Sequence, residues 1–358
     1  MAQRETILVT GAGGAVGSQL VVELLSAGYK VKATDLPGKP FPFGGSRVKA
    51  VRGDLTDPKF VAELPYGVDH VIHAGAALDI GLPWSVLKAV NLDATILLWE
   101  RSVELGVGKF VFFSSASTYR GQDRPITEED PQDPPGNYEK SKFLAEKALM
   151  RSKQGGAKTH LVTLRPALII GPLGTALMAT IACAPPILKE YLGFAPKLYG
   201  GSMTTVVHSL DVARAALFLM EHGLDGEVYN VGNEDALPFG DFYNIACQEY
   251  GLPVLPIPPI PMPPRGLVSR LMPLIRRPEL FMVINTVGGS IWKHLQKKHN
   301  LTGPLSPKAD KEAMSYMMSD YVFDVSKLMT TGFECRFPDY RTAIRDVLEW
   351  YKRERWIP

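Results

Sequence analysis

The sequence predicts an α/β protein built on a parallel β-sheet, and three observations lead to this prediction. Short apolar runs of strand length alternate with longer segments of helical periodicity through the first half of the chain. The first of these runs leads directly into a glycine-rich turn and a helix. At 358 residues, the chain is long enough for one large domain or two modest domains with well-buried cores.

The composition excludes several classes of protein. Lys and Arg number 39 against 37 acidic residues, and this balance gives no reason to expect nucleic acid as a partner. The three cysteines lie far apart without a CxxC pair, which predicts reduced thiols in a cytoplasmic protein and no zinc site. We find neither a secretory signal nor a stretch of about 18 uncharged apolar residues, so no transmembrane helix is expected.

A predicted strand, a glycine turn and a helix open the chain. Residues 6–10 form a short apolar run, and helical spacing then continues to Gly28. Glycines let the backbone approach a pyrophosphate, and the helix N-terminus offers free N–H groups and a positive dipole end. The spacing is GxxGxxG rather than the usual GxGxxG, so by itself it also fits a plain tight loop. The predicted nucleotide-binding residues are Gly11, Gly14, Ala15, Val16 and Gly17.

The second predicted strand, residues 30–34, ends in Asp35. This position is close to the ~20-residue offset at which an acidic side chain receives the adenosine ribose hydroxyls. A carboxylate there accepts hydrogen bonds from the 2′-OH and repels a 2′-phosphate, so the sequence favours NAD over NADP. Lys32 and Lys39 lie nearby and keep NADP open as an alternative. The competing interpretation of Asp35 is a turn or capping residue before Pro37.

Three further predicted strands, residues 48–51, 68–73 and 109–113, alternate with helical segments and imply right-handed crossovers. Ligands of open α/β sheets bind at the carboxyl ends of such strands. We interpret His73 as a packed strand-end histidine rather than a catalytic base. The residues after these strands place an acid at the adenine edge and small residues against the cofactor: Asp54, Ala74, Gly75 and Ala76.

Tyr138 and Lys142 lie four residues apart, on one face of a predicted helix. A free phenol has a pKa of ~10, and a fixed positive charge beside it stabilises the phenolate and lowers that pKa. The pair is therefore a candidate proton-transfer centre. By itself, the spacing also fits a partly buried tyrosine beside a solvated lysine.

Several ordered motifs together resemble the extended short-chain dehydrogenase/reductase family, within the NAD-dependent epimerase/dehydratase superfamily. The resemblance implies a Rossmann-type doubly wound sheet of about seven strands and a smaller, mostly C-terminal substrate domain. It also implies an NAD(P)-dependent enzyme that acts on CH–OH groups. The motifs that carry it extend from Thr10 to about Gly232: the glycine turn, Asp35, Asp54-Leu55, residues 91–95, Ser114-Ser115, residues 138–142, residues 164–166 and residues 229–232.

The resemblance assigns roles to individual residues. Tyr138 would be the general acid/base, Lys142 would bind the nicotinamide ribose and lower the tyrosine pKa, and Ser115 would hold the substrate oxygen. For Asn91, a water-linked proton relay and a helix-packing role are equal alternatives. The cofactor would further contact Leu55, Asn91, Ser114, Tyr138, Lys142 and Pro166.

Two features of the sequence indicate a lipophilic substrate. Leu168 occupies the position, three residues after Arg165, where many nucleotide-sugar epimerases and dehydratases have an asparagine. An apolar side chain cannot make the polar contact expected for a sugar nucleotide. Together with an apolar insert, this pattern resembles the 3β-hydroxysteroid dehydrogenase-like branch. We expect an NAD-binding domain at residues 1–178 joined by 205–235, and a substrate domain at residues 179–204 and 236–358.

The predicted insert covers residues 252–300. Its proline-rich first part, residues 252–264, predicts an extended surface segment. In residues 265–300, apolar runs accompany seven Lys and Arg residues against the single acidic residue Glu279. One interpretation is a membrane-surface segment that contacts phospholipid headgroups. The other is a helical lid over an apolar pocket, with Pro273, Pro278 and Gly288-Gly289 interrupting any long helix.

The sequence therefore predicts an NAD-dependent oxidoreductase that interconverts a secondary alcohol and a ketone on a sterol-like or β-hydroxy/β-keto fatty-acid-derived substrate. A nucleotide-sugar epimerase or dehydratase with tightly bound NAD is the alternative, and a non-catalytic NAD-binding scaffold is a third reading. The resemblance also implies a homodimer formed through residues 83–105 and 137–153. The expected location is the cytoplasm, with peripheral membrane contact as an open alternative.

Overall fold

A computed structural model describes residues 5–39, 44–79, 81–175, 177–261, 278–307 and 319–358. Its strands are mostly short and lie in one large sheet and three two-stranded sheets. In chain order they are β1 (Thr6–Thr10), β2 (Lys30–Asp35), β3 (Val48–Arg52), β4 (His70–His73), β5 (Lys109–Phe113), β6 (His160–Pro166), β7 (Leu168–Ile170), β8 (Ala195–Tyr199), β9 (Met203–Thr204), β10 (Val206–His208), β11 (Glu227–Val231), β12 (Leu237–Pro238) and β13 (Val254–Pro261).

The helices alternate with the strands through the first two thirds of the chain. A π-helical turn, Lys88–Asp93, joins α3 to α4, and a short 3₁₀ turn, Ala116–Thr118, follows β5. The helices are α1 (Ala15–Ser26), α2 (Pro58–Glu63), α3 (Trp84–Leu87), α4 (Ala94–Glu104), α5 (Asn137–Gln154), α6 (Leu177–Tyr191), α7 (Ser209–His222), α8 (Phe239–Tyr250), α9 (Pro278–His299), α10 (Ser326–Met329) and α11 (Tyr340–Arg353).

The large sheet has seven parallel strands in the order β3-β2-β1-β4-β5-β6-β11. The chain moves outward from β1 to β3, then returns to β4 on the other side of β1. This reversal creates a switch point between β1 and β4, where open α/β sheets bind their ligands. The predicted fold class, a Rossmann-type parallel sheet, is confirmed.

Helices cover both faces of this central sheet. On one face, Leu20 and Leu24 of α1 pack with Ala216 and Leu219 of α7 against the buried strands. On the other face, α4 and α5 pack over the same strands through a second apolar cluster that includes Trp99 and Leu149. The central strands β1, β4 and β5 are buried on both sides and have nearly continuous apolar sequences, whereas the edge strand β3 is largely exposed.

A second group of elements, which we call the C-terminal assembly, comprises α6, α8, α9, α11, β8 and β13. These elements enclose a separate apolar cluster that includes Cys247, Trp292 and Tyr351. Helix α11 contributes Ile344, Val347 and Leu348 to it. The assembly lacks a large sheet, so its stability depends on side-chain packing between helices.

Most of the proline-rich stretch is extended, as the sequence predicts, and forms a strand of a two-stranded sheet. Part of it, β13, pairs in parallel with β8 in a two-stranded sheet, with a register shift between Leu255 and Ile260. Proline lacks the N–H that a central strand needs on both sides, so an edge position is the one compatible with this sequence. The remaining residues of the stretch, 262–264, lie outside the described residues.

The prediction that prolines and glycines interrupt the basic segment is wrong for its described part. Helix α9 begins at Pro278 and continues through Gly288-Gly289 to His299. Proline is compatible with the first helical position, because an N–H at that position has no intrahelical partner and the φ of proline suits a helix. Each internal glycine costs about 1 kcal/mol, and burial of Trp292 and Leu295 offsets this cost. Residues 265–277, with Pro273, lie outside the described residues.

Two further observations concern predictions made from composition. Cys183, Cys247 and Cys335 all carry free thiols. Among the helices that the structure describes, none has the length and apolar character needed to cross a bilayer.

Candidate active site

The glycine turn between β1 and α1 is a cradle that side chains would fill. Gly11 has a φ of +68°, in the left-handed region that favours glycine. A Cβ atom on Gly17 would overlap the carbonyl oxygen of Gly11, and one on Gly11 would overlap the backbone of Gly75 after β4. The two strand ends therefore approach each other as bare backbone, at the switch point of the sheet.

Asp35 lies beside this cradle. One carboxylate oxygen accepts a hydrogen bond from the backbone N–H of Gly13 at 2.8 Å, and the other accepts from that of Leu36 at 2.8 Å. The end of β2 is thereby tied to the glycine turn. Asp54 differs, since its exposed carboxylate accepts from the N–H of Thr56 at 2.8 Å and caps its own turn.

Helix α5 brings the two predicted catalytic side chains to the end of β5. Lys142 is only 2% exposed, and its ammonium donates to the carbonyl oxygen of Phe113 at 2.7 Å. Tyr138 is half-buried, and the Ser115 hydroxyl is near enough to its phenol to lower the phenol pKa. The serine oxygen also lies 2.7 Å from the hydroxyl of Ser117. A phenol, a hydroxyl and an ammonium thus converge at one strand end.

The pKa values of this group follow from burial. Burial raises the pKa of the Tyr138 phenol, and the neighbouring Glu139 carboxylate raises it further, while the Ser115 hydrogen bond lowers it. The expectation that Lys142 lowers this pKa is therefore not met, because its ammonium is directed at the Phe113 carbonyl. Burial also lowers the pKa of Lys142 to about 7.

Asn91 lies in the π-helical turn, where the sequence predicts a continuous helix. Its amide nitrogen donates to the carbonyl oxygen of Ala77 and to the hydroxyl of Ser141, both at 3.0 Å. Its amide oxygen accepts from the N–H of Ala77 at 2.8 Å. Both amide hydrogens are thus bound to protein groups, which favours the packing alternative for Asn91. The Ser141 hydroxyl in turn donates to the Tyr138 carbonyl at 2.6 Å.

His73 is packed at the end of β4, in agreement with the sequence interpretation. It is fully buried, and both of its ring nitrogens lie within hydrogen-bonding distance of threonine hydroxyls. Burial and the nearby Lys142 charge lower its pKa to about 3. The imidazole is therefore neutral at physiological pH.

Sequence reasoning missed a buried polar cluster behind the site. Arg165 of β6 forms a buried ion pair with Glu146 of α5 and also donates to the Tyr119 hydroxyl and to the Glu128 carbonyl. Such a pair is stable only when its remaining hydrogen-bonding groups are satisfied. The available signal was an arginine inside an apolar strand, which requires a buried partner. The cluster fixes α5 against β6.

The remaining predicted cofactor residues lie at the carboxyl ends of adjacent strands. Ser114 is buried, and no described residue hydrogen-bonds with its hydroxyl. Pro166 ends β6, and the small residues Ala74, Gly75 and Ala76 follow β4, with Leu55 beside Gly75. The bare-backbone cradle, the Asp35 carboxylate and the unsatisfied Ser114 hydroxyl suit the pyrophosphate, ribose and nicotinamide ends of an NAD molecule, so these residues fit the cofactor.

The described residues were also searched for a metal site. No group of three or more His, Cys, Asp or Glu side chains there could hold a metal ion.

The sequence matches the model of one protein family over residues 7–232, described as the NAD dependent epimerase/dehydratase family. The matched range begins in β1 and ends just after β11. It therefore contains the whole central sheet together with Ser115, Tyr138 and Lys142.

Relatives of three kinds are similar to this chain. UDP-glucose 4-epimerase 4 of Oryza sativa subsp. japonica is 28% identical over 265 residues, 63% of this chain and 72% of that protein. The 2-alkyl-3-oxoalkanoate reductase of Stenotrophomonas maltophilia is 28% identical over 259 residues, 69% of this chain and 76% of that protein. The decarboxylating sterol-4-alpha-carboxylate 3-dehydrogenase of Dictyostelium discoideum is 25% identical over 261 residues, 69% and 77% of the two chains.

The whole fold, including the C-terminal assembly, has a counterpart among solved structures. The crystal structure of gox2253 superimposes with a TM-score of 0.75 and 21% sequence identity, covering 99% of this chain and 100% of that chain. At this level of identity the likeness concerns the fold.

Proposed function

The chain belongs to the NAD dependent epimerase/dehydratase family, and from this premise we propose that it interconverts a secondary alcohol and a ketone on a lipophilic substrate. Family membership makes the protein an NAD-dependent enzyme of the extended short-chain dehydrogenase/reductase type, acting on CH–OH groups. The proposal adds the reaction and the chemical class of the substrate. The observation that carries it is the convergence of Ser115, Tyr138 and Lys142 at the end of β5.

The proposed chemistry divides between these side chains. The Ser115 hydroxyl, which lies near the Tyr138 phenol, holds the substrate oxygen next to that phenol. The Tyr138 phenol donates its proton to that oxygen in the reductive direction and removes it in the oxidative direction. NAD, when bound, supplies or accepts the hydride at the carbon atom.

Lys142 acts electrostatically in this proposal. Its ammonium lies one helical turn after Tyr138 and is held by the Phe113 carbonyl at 2.7 Å. This contact directs the charge away from the Tyr138 phenol, and the ammonium would instead form charge-assisted hydrogen bonds with the nicotinamide ribose, the role that the family resemblance implies. Because burial raises the pKa of Tyr138, the phenol stays protonated near neutral pH, which favours its role as a proton donor to a ketone.

The substrate class is proposed from the residues after β6. Leu168 is half-buried in β7 and packs against the apolar cluster of the C-terminal assembly. Ala167 and Ile169 flank it, so this segment offers a substrate no amide or hydroxyl side chain. An unpaired polar group of a sugar nucleotide would be costly to bury here. Two of the relatives are, by name, an oxoalkanoate reductase and a sterol dehydrogenase.

A nucleotide-sugar epimerase is the second candidate. The observation in its favour is the similarity to the rice UDP-glucose 4-epimerase over 63% of this chain. In either reaction Tyr138 would remove the proton of the substrate hydroxyl while NAD, when bound, accepts the hydride. The two reactions differ in whether the cofactor is retained through turnover.

A substrate panel with two readouts tests the proposal. Purified protein is assayed with NADH and a long-chain β-keto acid or a sterol-type ketone, and separately with UDP-glucose and UDP-galactose. We expect stoichiometric oxidation of NADH with at least one lipophilic ketone and none with the Tyr138→Phe variant. Interconversion of the UDP-sugars without net oxidation of NADH would instead favour the epimerase.

The remaining sequence-based interpretations stay proposals. They are the division into domains at residues 1–178 with 205–235 and at 179–204 with 236–358, the homodimer, and membrane contact through residues 265–300. The described part of the last range, α9, has an exposed basic face with Lys293, Lys297 and Lys298. Sedimentation and flotation on anionic vesicles would test the dimer and the membrane contact, respectively.

A further inference from the structure

A chain of hydrogen bonds with one direction passes through the buried His73. The Thr95 hydroxyl donates its single hydrogen to the Asn91 carbonyl at 2.8 Å. It can therefore only accept at its other contact, where it lies 2.9 Å from Nε2 of His73. The hydrogen of the neutral imidazole must then be on Nε2.

The other ring nitrogen follows from this assignment. Nδ1 of the neutral ring is an acceptor, and the Thr10 hydroxyl lies 2.7 Å from it. The Thr10 hydroxyl thus donates to His73 and accepts from the Gly75 N–H at 2.9 Å. Every hydrogen in the chain has one acceptor, from Gly75 through Thr10, His73 and Thr95 to Asn91.

The two ends of this chain reach different parts of the site. Gly75 lies against Gly11 so closely that a Cβ on either glycine would crowd the other's backbone. At the other end, the Asn91 amide donates to Ser141, whose hydroxyl donates to the Tyr138 carbonyl at 2.6 Å. One end therefore contacts the cofactor cradle and the other the first turn of α5.

We propose that His73 is a positioning residue whose fixed Nε2–H tautomer holds the glycine cradle and the catalytic helix in one relative position. Each ring nitrogen serves one of these two parts. Burial and Lys142 lower the pKa of His73 to about 3, so the tautomer does not change with pH in the neutral range. The ring also stacks on Phe112, with centroids 6.1 Å apart, which holds its plane. The proposal rests on the NAD site and on the proposed role of Tyr138.

The tautomer itself is open to direct measurement. Long-range ¹H–¹⁵N correlation spectra distinguish Nε2–H from Nδ1–H imidazole, and His73 is assigned by the loss of its signal in the His73→Asn variant. We expect an unchanged Nε2–H signal between pH 5.5 and 8.5. An Nδ1–H signal, or a titration within this range, would overturn the proposal.

Two substitutions of His73 each interrupt one half of the hydrogen-bond chain. In His73→Asn, the amide oxygen takes the place of Nδ1 and still accepts from Thr10, while the donor to Thr95 is lost. In His73→Gln, the amide nitrogen takes the place of Nε2 and still donates to Thr95, while the acceptor for Thr10 is lost. Thr10→Val and Thr95→Val repeat this separation with β-branched side chains if the histidine variants fail to fold.

Two measurements report on the two halves of this hydrogen-bond chain, and neither needs a substrate. NADH affinity, from fluorescence titration, reports the cradle, and amide hydrogen exchange of residues 137–141 reports the first turn of α5. We expect His73→Gln to weaken NADH binding about tenfold with near-normal exchange, because a buried hydroxyl loses its partner. We expect His73→Asn to bind NADH within about twofold of the wild type and to exchange about tenfold faster.

The controls distinguish positioning from simple packing. His222→Asn, at the exposed end of α7, should change neither readout. If both His73 variants change both readouts by the same factor, or neither readout changes, His73 only fills space and the proposal is wrong. Failure of the ketone-reductase proposal would leave these results unaffected, since neither readout involves a ketone.

Discussion

The central sheet and the C-terminal assembly encode function in different ways. In the central sheet, residues that are far apart in sequence meet at strand ends, and the backbone itself forms the cradle at Gly11, Gly17 and Gly75. The C-terminal assembly is held by apolar side chains around Trp292 and Tyr351, where many combinations of similar volume pack equally well. The family match, residues 7–232, includes α6 and β8 of this assembly but not α8, α9, α11 or β13. The comparison indicates that close backbone contacts constrain the cradle, whereas apolar side-chain packing constrains the C-terminal assembly.

The largest expected effect tests whether the chemistry belongs to the central sheet alone. Tyr138→Phe removes the proton donor and should lower kcat by about 10²- to 10⁴-fold. NADH binding should change little, because the glycine cradle and Asp35 are untouched. Steady-state kinetics and NADH fluorescence titration measure the two quantities. Full activity in this variant would remove the phenol from the mechanism.

Asp35→Ala tests the cofactor preference within the same half of the molecule. Loss of the carboxylate removes acceptors for the ribose hydroxyls and the repulsion of a 2′-phosphate, so the ratio of NADP to NAD affinity should rise about 30-fold. Asp54→Ala is the matched control, because the exposed Asp54 carboxylate caps its own turn. Equal changes in the two variants would contradict the assignment of Asp35 to the ribose.

Leu168→Asn addresses the substrate side of the comparison. An amide in this apolar segment should lower kcat/KM for a lipophilic ketone about tenfold while NADH affinity stays constant. Leu168→Met keeps the volume and the apolar character and serves as the control. If the asparagine variant reduces lipophilic ketones as well as the wild type does, Leu168 does not contact the substrate.

The smallest effect concerns stability and pH. Burial lowers the pKa of Lys142 from 10.5 to about 7. Between about pH 7 and pH 10.5, the unfolded state therefore binds more protons than the folded state. Stability should therefore rise with pH in this window, by about 1 kcal/mol between pH 7 and pH 8. Lys142→Met should lack this rise, whereas the exposed Lys147→Met should keep it. Urea denaturation at pH 7 and pH 8 measures this change in the free energy of unfolding. An equal change in the wild type and both variants would show that Lys142 does not titrate between these pH values.

The long elements and the motifs that precede them could be predicted from the sequence. Helix α11, Tyr340–Arg353, carries local signals of this kind, since Asp339 caps its first turn and its buried residues recur at helical spacing. Helix α9 was wrongly expected to be interrupted at Gly288-Gly289, since tertiary burial of Trp292 and Leu295 outweighs a local propensity. The π-helical turn that contains Asn91 was also missed, and the hydrogen bonds of the Asn91 side chain to Ala77 and Ser141 join residues that are distant in sequence.

The sequence by itself determined the parallel α/β fold class and, through its motifs, the resemblance to an NAD-dependent family, together with the candidate set Ser115, Tyr138 and Lys142. These depend on periodicity, glycine positions and spacing within one helix, which are local properties of the chain. Only the tertiary structure decided the direction of the Tyr138 pKa, the partner of Lys142 and the tautomer of His73. The physical reason is that desolvation and hydrogen-bond direction depend on which groups from distant strands are buried together.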